Sequence, residues 1–140
     1  MSVGANMPVY FDHEKLNVYQ EAILFVSWAD EFVQPIPKNV AAKDQLDRAA
    51  TSVALNIAEA NGKFSIRDRC RFLANAYGSA VECSACLDVF VAKKLAGLED
   101  TRPGKERLRN IVSMLVGLIN SLSSRVSEEG TEYTVEGDLE

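Results

Sequence analysis

Between residues 12 and 126, apolar side chains recur at three- and four-residue intervals, interrupted only by three short breaks. That spacing keeps apolar groups on one face of a 3.6-residue helix and leaves no stretch with the alternation of a half-buried strand. The breaks are Gln34-Pro35-Ile36-Pro37, the surroundings of Gly62, and Gly97–Gly104. Proline and glycine there stop a helix, because proline cannot continue the backbone ladder and glycine favours an end. The chain therefore reads as all-α, with four helices. Short connections turn each helix back on its predecessor, giving an antiparallel up-down-up-down four-helix bundle. An N-terminal tail (1–11) precedes the bundle (12–126), and a tail (127–140) follows it, with no internal repeat and no second domain.

The first helix is predicted over Asp12–Val33. It has one stripe of Leu16, Tyr19, Ile23, Val26 and Val33 and another of Val18, Ala22, Phe25, Ala29 and Phe32. The second, from about Asn39 to Asn61, is alanine-rich, with Leu46, Val53 and Ile57 for the core and Gly62 suited to a left-handed cap. Ser65 and Asp68 open the third as a capping box, and it runs to about Leu98. Leu73, Ala76, Ala80, Leu87, Val91 and Leu95 suit its core face. Gly78 inside it costs ~1 kcal/mol relative to alanine, tolerable where another backbone or a large side chain packs on it. The fourth follows Gly97–Gly104, with Pro103 near its first turn and Leu108, Ile111, Leu115, Leu118 and Leu122 at three-four spacing. Val112, Ile119 and Val126 widen its arc.

The first and fourth arcs are broader than a simple bundle uses. Leaving about five such side chains in water would forgo roughly 5–10 kcal/mol, comparable to the stability of a domain. The first and fourth helices are therefore expected to form contacts between copies of the chain.

Two rows of polar residues cross the alanine-rich middle: Arg48, Ser52, Asn56 and Glu59, then Arg71, Asn75, Ser79 and Glu82. Steps of four, four and three place each row on one helical face, beside apolar residues. They read as a hydrogen-bond and ion-pair system that specifies packing, with the arginines neutralising the glutamates. Stranding a buried charge costs ~3–5 kcal/mol, so Glu59→Ala is expected to lower the melting temperature strongly.

The net charge of −5 hides an uneven distribution. Residues 127–140 hold six acids and no base, leaving fifteen basic and fourteen acidic residues in 1–126. Such a tail reads as a solubilising, disordered end, or as a shield for a basic surface. Lys63, Arg67 and Arg69, with Arg71, surround the second connection. Lys93, Lys94, Arg102, Lys105, Arg107 and Arg109 surround the third, among Glu99, Asp100 and Glu106, at the same end as Lys38 and Lys43. Repeated around an oligomer, these clusters could hold phosphate backbones; the plainer alternative is a solvated surface of mixed charge.

Nothing in the chain has the spacing of a catalytic or metal motif. P-loop, nucleophile-elbow and dinucleotide-binding patterns are absent, as are the Glu-x-x-His pairs of a di-iron bundle. Ser52 and Ser79 have no histidine near them in sequence, His13 being the single one. Cys70, Cys83 and Cys86 fall in one helix and read as small apolar residues; a zinc site would need further ligands. Tyr19, Tyr77 and Trp28 suit a core or an interface better than base stacking. The run Ile111–Leu122 is broken by Ser113, Gly117, Asn120 and Ser121, and falls short of the ~18 apolar residues of a membrane span. The start MSVGANMPVY lacks the layout of a secretion signal, so the cytoplasm is the expected compartment. No enzyme activity, cofactor, metal or membrane is expected.

These residues resemble a bacterial family of four-helix-bundle proteins, also called 23S rRNA intervening-sequence proteins. The family includes the accessory variability determinant of diversity-generating retroelements. The resemblance is carried by Arg48, Ala49, Ser52, Asn56, Ile57, Ala58, Glu59 and Gly62. Ser65, Arg71, Phe72, Leu73, Ala76, Gly78, Ser79 and Glu82 continue it, and Leu16-Asn17-Val18-Tyr19-Gln20 resembles the family's first helix. It spans roughly residues 14–122. Ala54 and Ala60 stand where the family often has proline and glycine, which favours a more regular second helix. The resemblance implies a ring-shaped homopentamer. Its retroelement members are strongly basic, whereas this chain is acidic overall. Two functions follow as expectations: a non-enzymatic oligomeric scaffold that binds another macromolecule, or a nucleic-acid-binding accessory protein, on RNA or DNA and alongside a reverse transcriptase, using the basic clusters.

Overall fold

The computed structural model describes residues 8–128, with side chains through residue 125. Residues 1–7 and 129–140, which include most of both expected tails, lie outside that description. A 3-10 turn (Asp12–Lys15) leads into four helices: α1 (Asn17–Phe32), α2 (Ala41–Asn61), α3 (Ile66–Ala92) and α4 (Leu98–Glu128). No strand occurs among the described residues. Neighbours pack in the order α1–α2, α2–α3, α3–α4 and α4–α1.

The expected first helix is split. Glu14 Oε1 accepts the Phe11 N–H at 2.7 Å, closing the 3-10 turn. Leu16 is then extended (φ −72°, ψ 128°), and α1 begins only after it. At the start of α3, Ser65 Oγ accepts the Asp68 N–H at 3.0 Å, as its capping pattern requires.

The left-handed residue is not where glycine predicts it. Gly62 caps α2 in a right-handed conformation (φ −83°). Lys94, after α3, has φ 61° instead. Leu95 N–H donates to Phe90 O and Lys94 N–H to Val91 O, both at 2.9 Å, the paired bonds of a Schellman ending. This ending stops α3 at Ala92, short of Leu98, and frees Leu98 to start α4 early. Pro103 consequently lies in the second turn of α4, where it removes one N–H from the ladder.

The core joins Phe25 of α1, Leu46 and Ile57 of α2, Leu87 and Phe90 of α3, and Ile111, Leu115 and Ile119 of α4, each under 2% exposed. Ala54 and Ala60 are buried in an unbroken α2. The broad arcs of α1 and α4 are largely consumed inside the chain. Leu16, Tyr19, Ile23 and Val26 are half-buried against the core, as are Val112, Leu118 and Leu122. A helix in a bundle touches two neighbours, which is enough to cover a half-circumference arc. The expectation that these two helices leave a wide bare stripe is corrected accordingly.

Candidate functional site

The two polar rows meet along the seam between α2 and α3. Ser52 Oγ lies 2.8 Å from Ser79 Oγ. Asn56 Nδ2 donates to Ser52 Oγ and to Ser52 O, each at 2.9 Å. These three side chains are half-buried; the serine pair ties one helix to the other, and Asn56 braces Ser52 from within α2. Because the helices run antiparallel, the serine contact sets the register of the rest. By helical rise, Arg48 and Glu82 lie about 6 and 4.5 Å beyond it toward one end, and Glu59 and Arg71 about 11 and 12 Å toward the other. By the same rise, Asn56 and Asn75 lie level with each other in between.

The charged ends of the rows differ from the expected internal system. Arg48, Glu59, Arg71, Asn75 and Glu82 are exposed. Glu59 pairs with Lys63 at 3.7 Å, and Arg71 with Asp68 at 3.5 Å, each within its own helix or its end. No ion pair links Arg48 to Glu82, or Arg71 to Glu59, among the described residues. The rows flank the core without entering it, so only Ser52, Asn56 and Ser79 do the expected packing work.

The outward side of this seam also carries apolar groups that sequence reasoning passed over. Leu55 is 61% exposed and Phe64 in the α2–α3 turn is fully exposed; Val81 is also exposed, but on the α4 side of α3, where it lines a groove with Lys105, Leu108 and Val112. Leu55 directly precedes Asn56, off the core spacing of Leu46, Val53 and Ile57, and that offset was its one sequence signal. Apart from its own helix backbone and chain neighbours, Gly78 has no atom within 4 Å of where a Cβ would sit, so nothing among the described residues packs there.

The basic clusters are partly neutralised. Lys105 Nζ pairs with Asp88 and bonds Ser84 Oγ, at 2.7 and 2.8 Å. Arg107 pairs with Glu21 at 2.9 Å, joining α4 to α1, and Arg102 pairs with Glu99 at 2.7 Å. Lys43 Nζ donates to Ile36 O. Around the α2–α3 turn, Arg69 Nε donates to Lys63 O, while Lys63 and Arg71 both lie over the Phe72 ring. Arg67, Arg109, Lys38, Lys93 and Lys94 are exposed and make no ion pair among the described residues. The last three share the end that carries the α1–α2 and α3–α4 connections.

The three thiols are buried and free. Desolvation pushes the Cys83 thiol up to about 12, reinforced by the neighbouring Cys86 and Glu82. Desolvation also raises Cys70 and Cys86. Such groups stay protonated and are poor nucleophiles or ligands. No cluster of three or more His, Cys, Asp or Glu suits a metal among the described residues. A groove of about 500 Å³ between α1 and α2 is lined by Ile23, Val26, Asp30, Lys43, Asp44 and Asp47, with no partner group that would make it a reaction site. No helix is long and apolar enough to cross a membrane among the described residues.

Four helices, a packed apolar centre and a polar seam on one outer side define a small all-α helical-bundle protein. More narrowly, the chain belongs to the 23S rRNA-intervening sequence protein family, which it matches over residues 14–117. It is similar in fold to a protein of unknown function from the S23 ribosomal protein family of Bacteroides thetaiotaomicron VPI-5482. That crystal structure superposes with a TM-score of 0.68 at 22% identity, over 73% of this chain and 97% of that one. Among curated proteins, nothing matches the chain.

Proposed function

We propose that this chain is a non-enzymatic, self-associating scaffold that binds another macromolecule in the cytoplasm. The observation that carries the reading is the set of large apolar side chains left in solvent: Leu55 on the outer side of α2, Phe64 in the α2–α3 turn, and Val81 beside the α3–α4 groove. Large apolar groups left bare on a small domain favour a protein contact. The side chains most able to do chemistry are otherwise committed: Ser52 and Ser79 bond each other, and the thiols are buried. The family resemblance supports a closed ring of five as the form of the assembly. Light scattering tests it. A mass several times that of one chain is expected, and a stable single chain at micromolar concentration overturns it.

A second reading is favoured by Lys38, Lys93 and Lys94, three exposed cations at one end that make no ion pair among the described residues. In that reading the chain is an accessory protein that holds RNA or DNA. Retention of RNA and DNA at two salt concentrations tests it. Binding that falls steeply with salt, and is lost in the Lys38→Ala, Lys93→Ala, Lys94→Ala triple variant, supports it. No retention at low salt overturns it. Lys105 and Arg107 are poor test positions, because their ion pairs hold helices together.

A further inference from the structure

We propose that the groove between α1 and α2 is a docking site for a basic amphipathic helix of another protein. The apolar side chains of that helix sit on Ile23, Val26 and Val33, and its cations meet Asp30, Asp44 and Asp47. The inference rests on the scaffold reading above and gives the scaffold a partner surface and the chemistry of its partner.

The groove follows from residue size and spacing. On α1, Ile23, Val26, Asp30 and Val33 recur at three- and four-residue steps and form one bank; on α2, Lys43, Asp47 and Ala50 do the same on the other. Ala29 and Ala50 are small and buried, which leaves about 500 Å³ above them. Ile23 and Val26 belong to the broad arc of α1 and are only half-buried; this groove is where their remaining surface faces. From Ile23 to Val33 the groove runs about 15 Å by helical rise, the length of about three helical turns. An apolar channel of that length between two helices suits the stripe of a third, whose anchors recur at the same spacing.

Charge selects the partner. Asp30, Asp44 and Asp47 line the groove, are exposed, and make no ion pair among the described residues. The lysine of the lining, Lys43, has its ammonium bonded to Ile36 O at 2.8 Å. Three carboxylates against one ammonium leave an excess of two negative charges. Asp44 lies in the first turn of α2, where the helix dipole favours an acid. Asp30 has no such reason. It lies near the end of α1, against the dipole, and no base stands in that last turn. A cation supplied from outside gives that carboxylate its use. Nucleic acid is repelled by such a lining, and no group of three or more His, Cys, Asp or Glu among the described residues could hold a metal ion. A cationic helix with an apolar stripe satisfies floor and rim together, and the charges fix its identity and register more than they add affinity.

Fluorescence anisotropy of labelled synthetic peptides, with the full chain, tests this. Three helical peptides of about fourteen residues span the groove. One carries leucines at three-four spacing flanked by lysines, one the same leucines flanked by glutamates, and one the lysines with serine in place of leucine. The leucine–lysine peptide is expected to bind about ten-fold more tightly than either other. D30N/D44N/D47N should weaken it about ten-fold, whereas E59Q/E82Q/E106Q, which removes as many charges outside the groove, should change it less than about two-fold. S27W fills the groove, keeps its charges, and should weaken binding as well. Circular dichroism checks that each variant is folded, and the charge variants decide alone if S27W is not. The groove is overturned if the natural chain binds no leucine–lysine peptide, if either other peptide binds as tightly, or if the two triple variants lose affinity equally. Light scattering on the same samples separates this from the scaffold reading. An assembly that takes up no peptide overturns the groove alone, and single chains that take up the leucine–lysine peptide overturn self-association alone.

Discussion

Gly104 lies directly beneath the indole of Trp28, where a methyl group at position 104 would collide with Cε3, Cζ3 and Cη2 of the ring. The contact joins the start of α4 to the middle of α1. Trp28 in turn stacks on Phe32, with ring centroids 4.9 Å apart, and Phe32 meets Phe90 edge-on at 5.6 Å. The glycine on α4 is thus a seat for an aromatic ladder that joins α1 to α3. Replacing a helical glycine with alanine ordinarily gains ~1 kcal/mol. Here overpacking reverses the sign, and Gly104→Ala is expected to cost about 1–3 kcal/mol in chemical denaturation. Gly117→Ala, with nothing within 4 Å of its added methyl, is the matched control and should stabilise. Equal gains at both positions would show that the indole moves aside freely.

Lys94 gives a second case in which conformation decides the sign. Its left-handed backbone, at φ 61°, burdens a lysine with a Cβ clash that glycine does not have. Lys94→Gly should therefore stabilise the fold by about 1 kcal/mol in thermal or denaturant melts. If nucleic acid binds at this end, the same substitution weakens retention while raising stability, which separates a binding role from a structural one. A loss of stability would mean that the lysine side chain holds the turn together.

Ser52 and Glu59 share one polar row and should respond differently. Ser52 is half-buried and bonded to Ser79 and Asn56, so Ser52→Ala is expected to cost about 1–2 kcal/mol. Glu59 is exposed and holds only a 3.7 Å pair with Lys63. Glu59→Ala should change the stability of the single chain by less than about 0.5 kcal/mol. This replaces the large effect expected when the row is read as buried. Comparable losses at both positions would show that the carboxylate is held more tightly than its exposure indicates.

The helices and the core were legible because they rest on periodicity. Leu46, Val53 and Ile57, or Ile111 and Leu115, lie where three-four spacing puts them. Helix ends were less so, because they depend on single residues. The extended Leu16 and the left-handed Lys94 are ordinary residues placed by local bonds, and they shift the starts of α1 and α4. The polar rows were found as rows, but their depth was not. A row one step round the helix from the core looks the same in sequence whether it turns in or out. Leu55 and Phe64 escaped notice for a similar reason, since an apolar residue off the main stripe becomes informative only once its neighbours leave it bare.

Cys83 offers a probe of the interior that does not touch the seam. Its thiol is fully buried, and desolvation, with Cys86 and Glu82 adding to it, pushes its pKa from the ordinary 9.0 up to about 12. The folded chain thus favours the protonated thiol. The associated stability is whole below pH 9 and is lost as pH rises through the window from 9 to 12, by about 4 kcal/mol at most from this group. Cys70 and Cys86 are raised as well and act in the same direction. Denaturation midpoints should be steady from pH 7 to 8.5 and fall above 9. Cys83→Ala should flatten that fall while costing stability at neutral pH through the space it leaves. Alkylation gives an independent check. At pH 8 iodoacetamide should leave all three thiols of the native chain unlabelled over minutes and label them fully in denaturant. Rapid native labelling would place a thiol in contact with solvent and remove burial as the cause of its raised pKa.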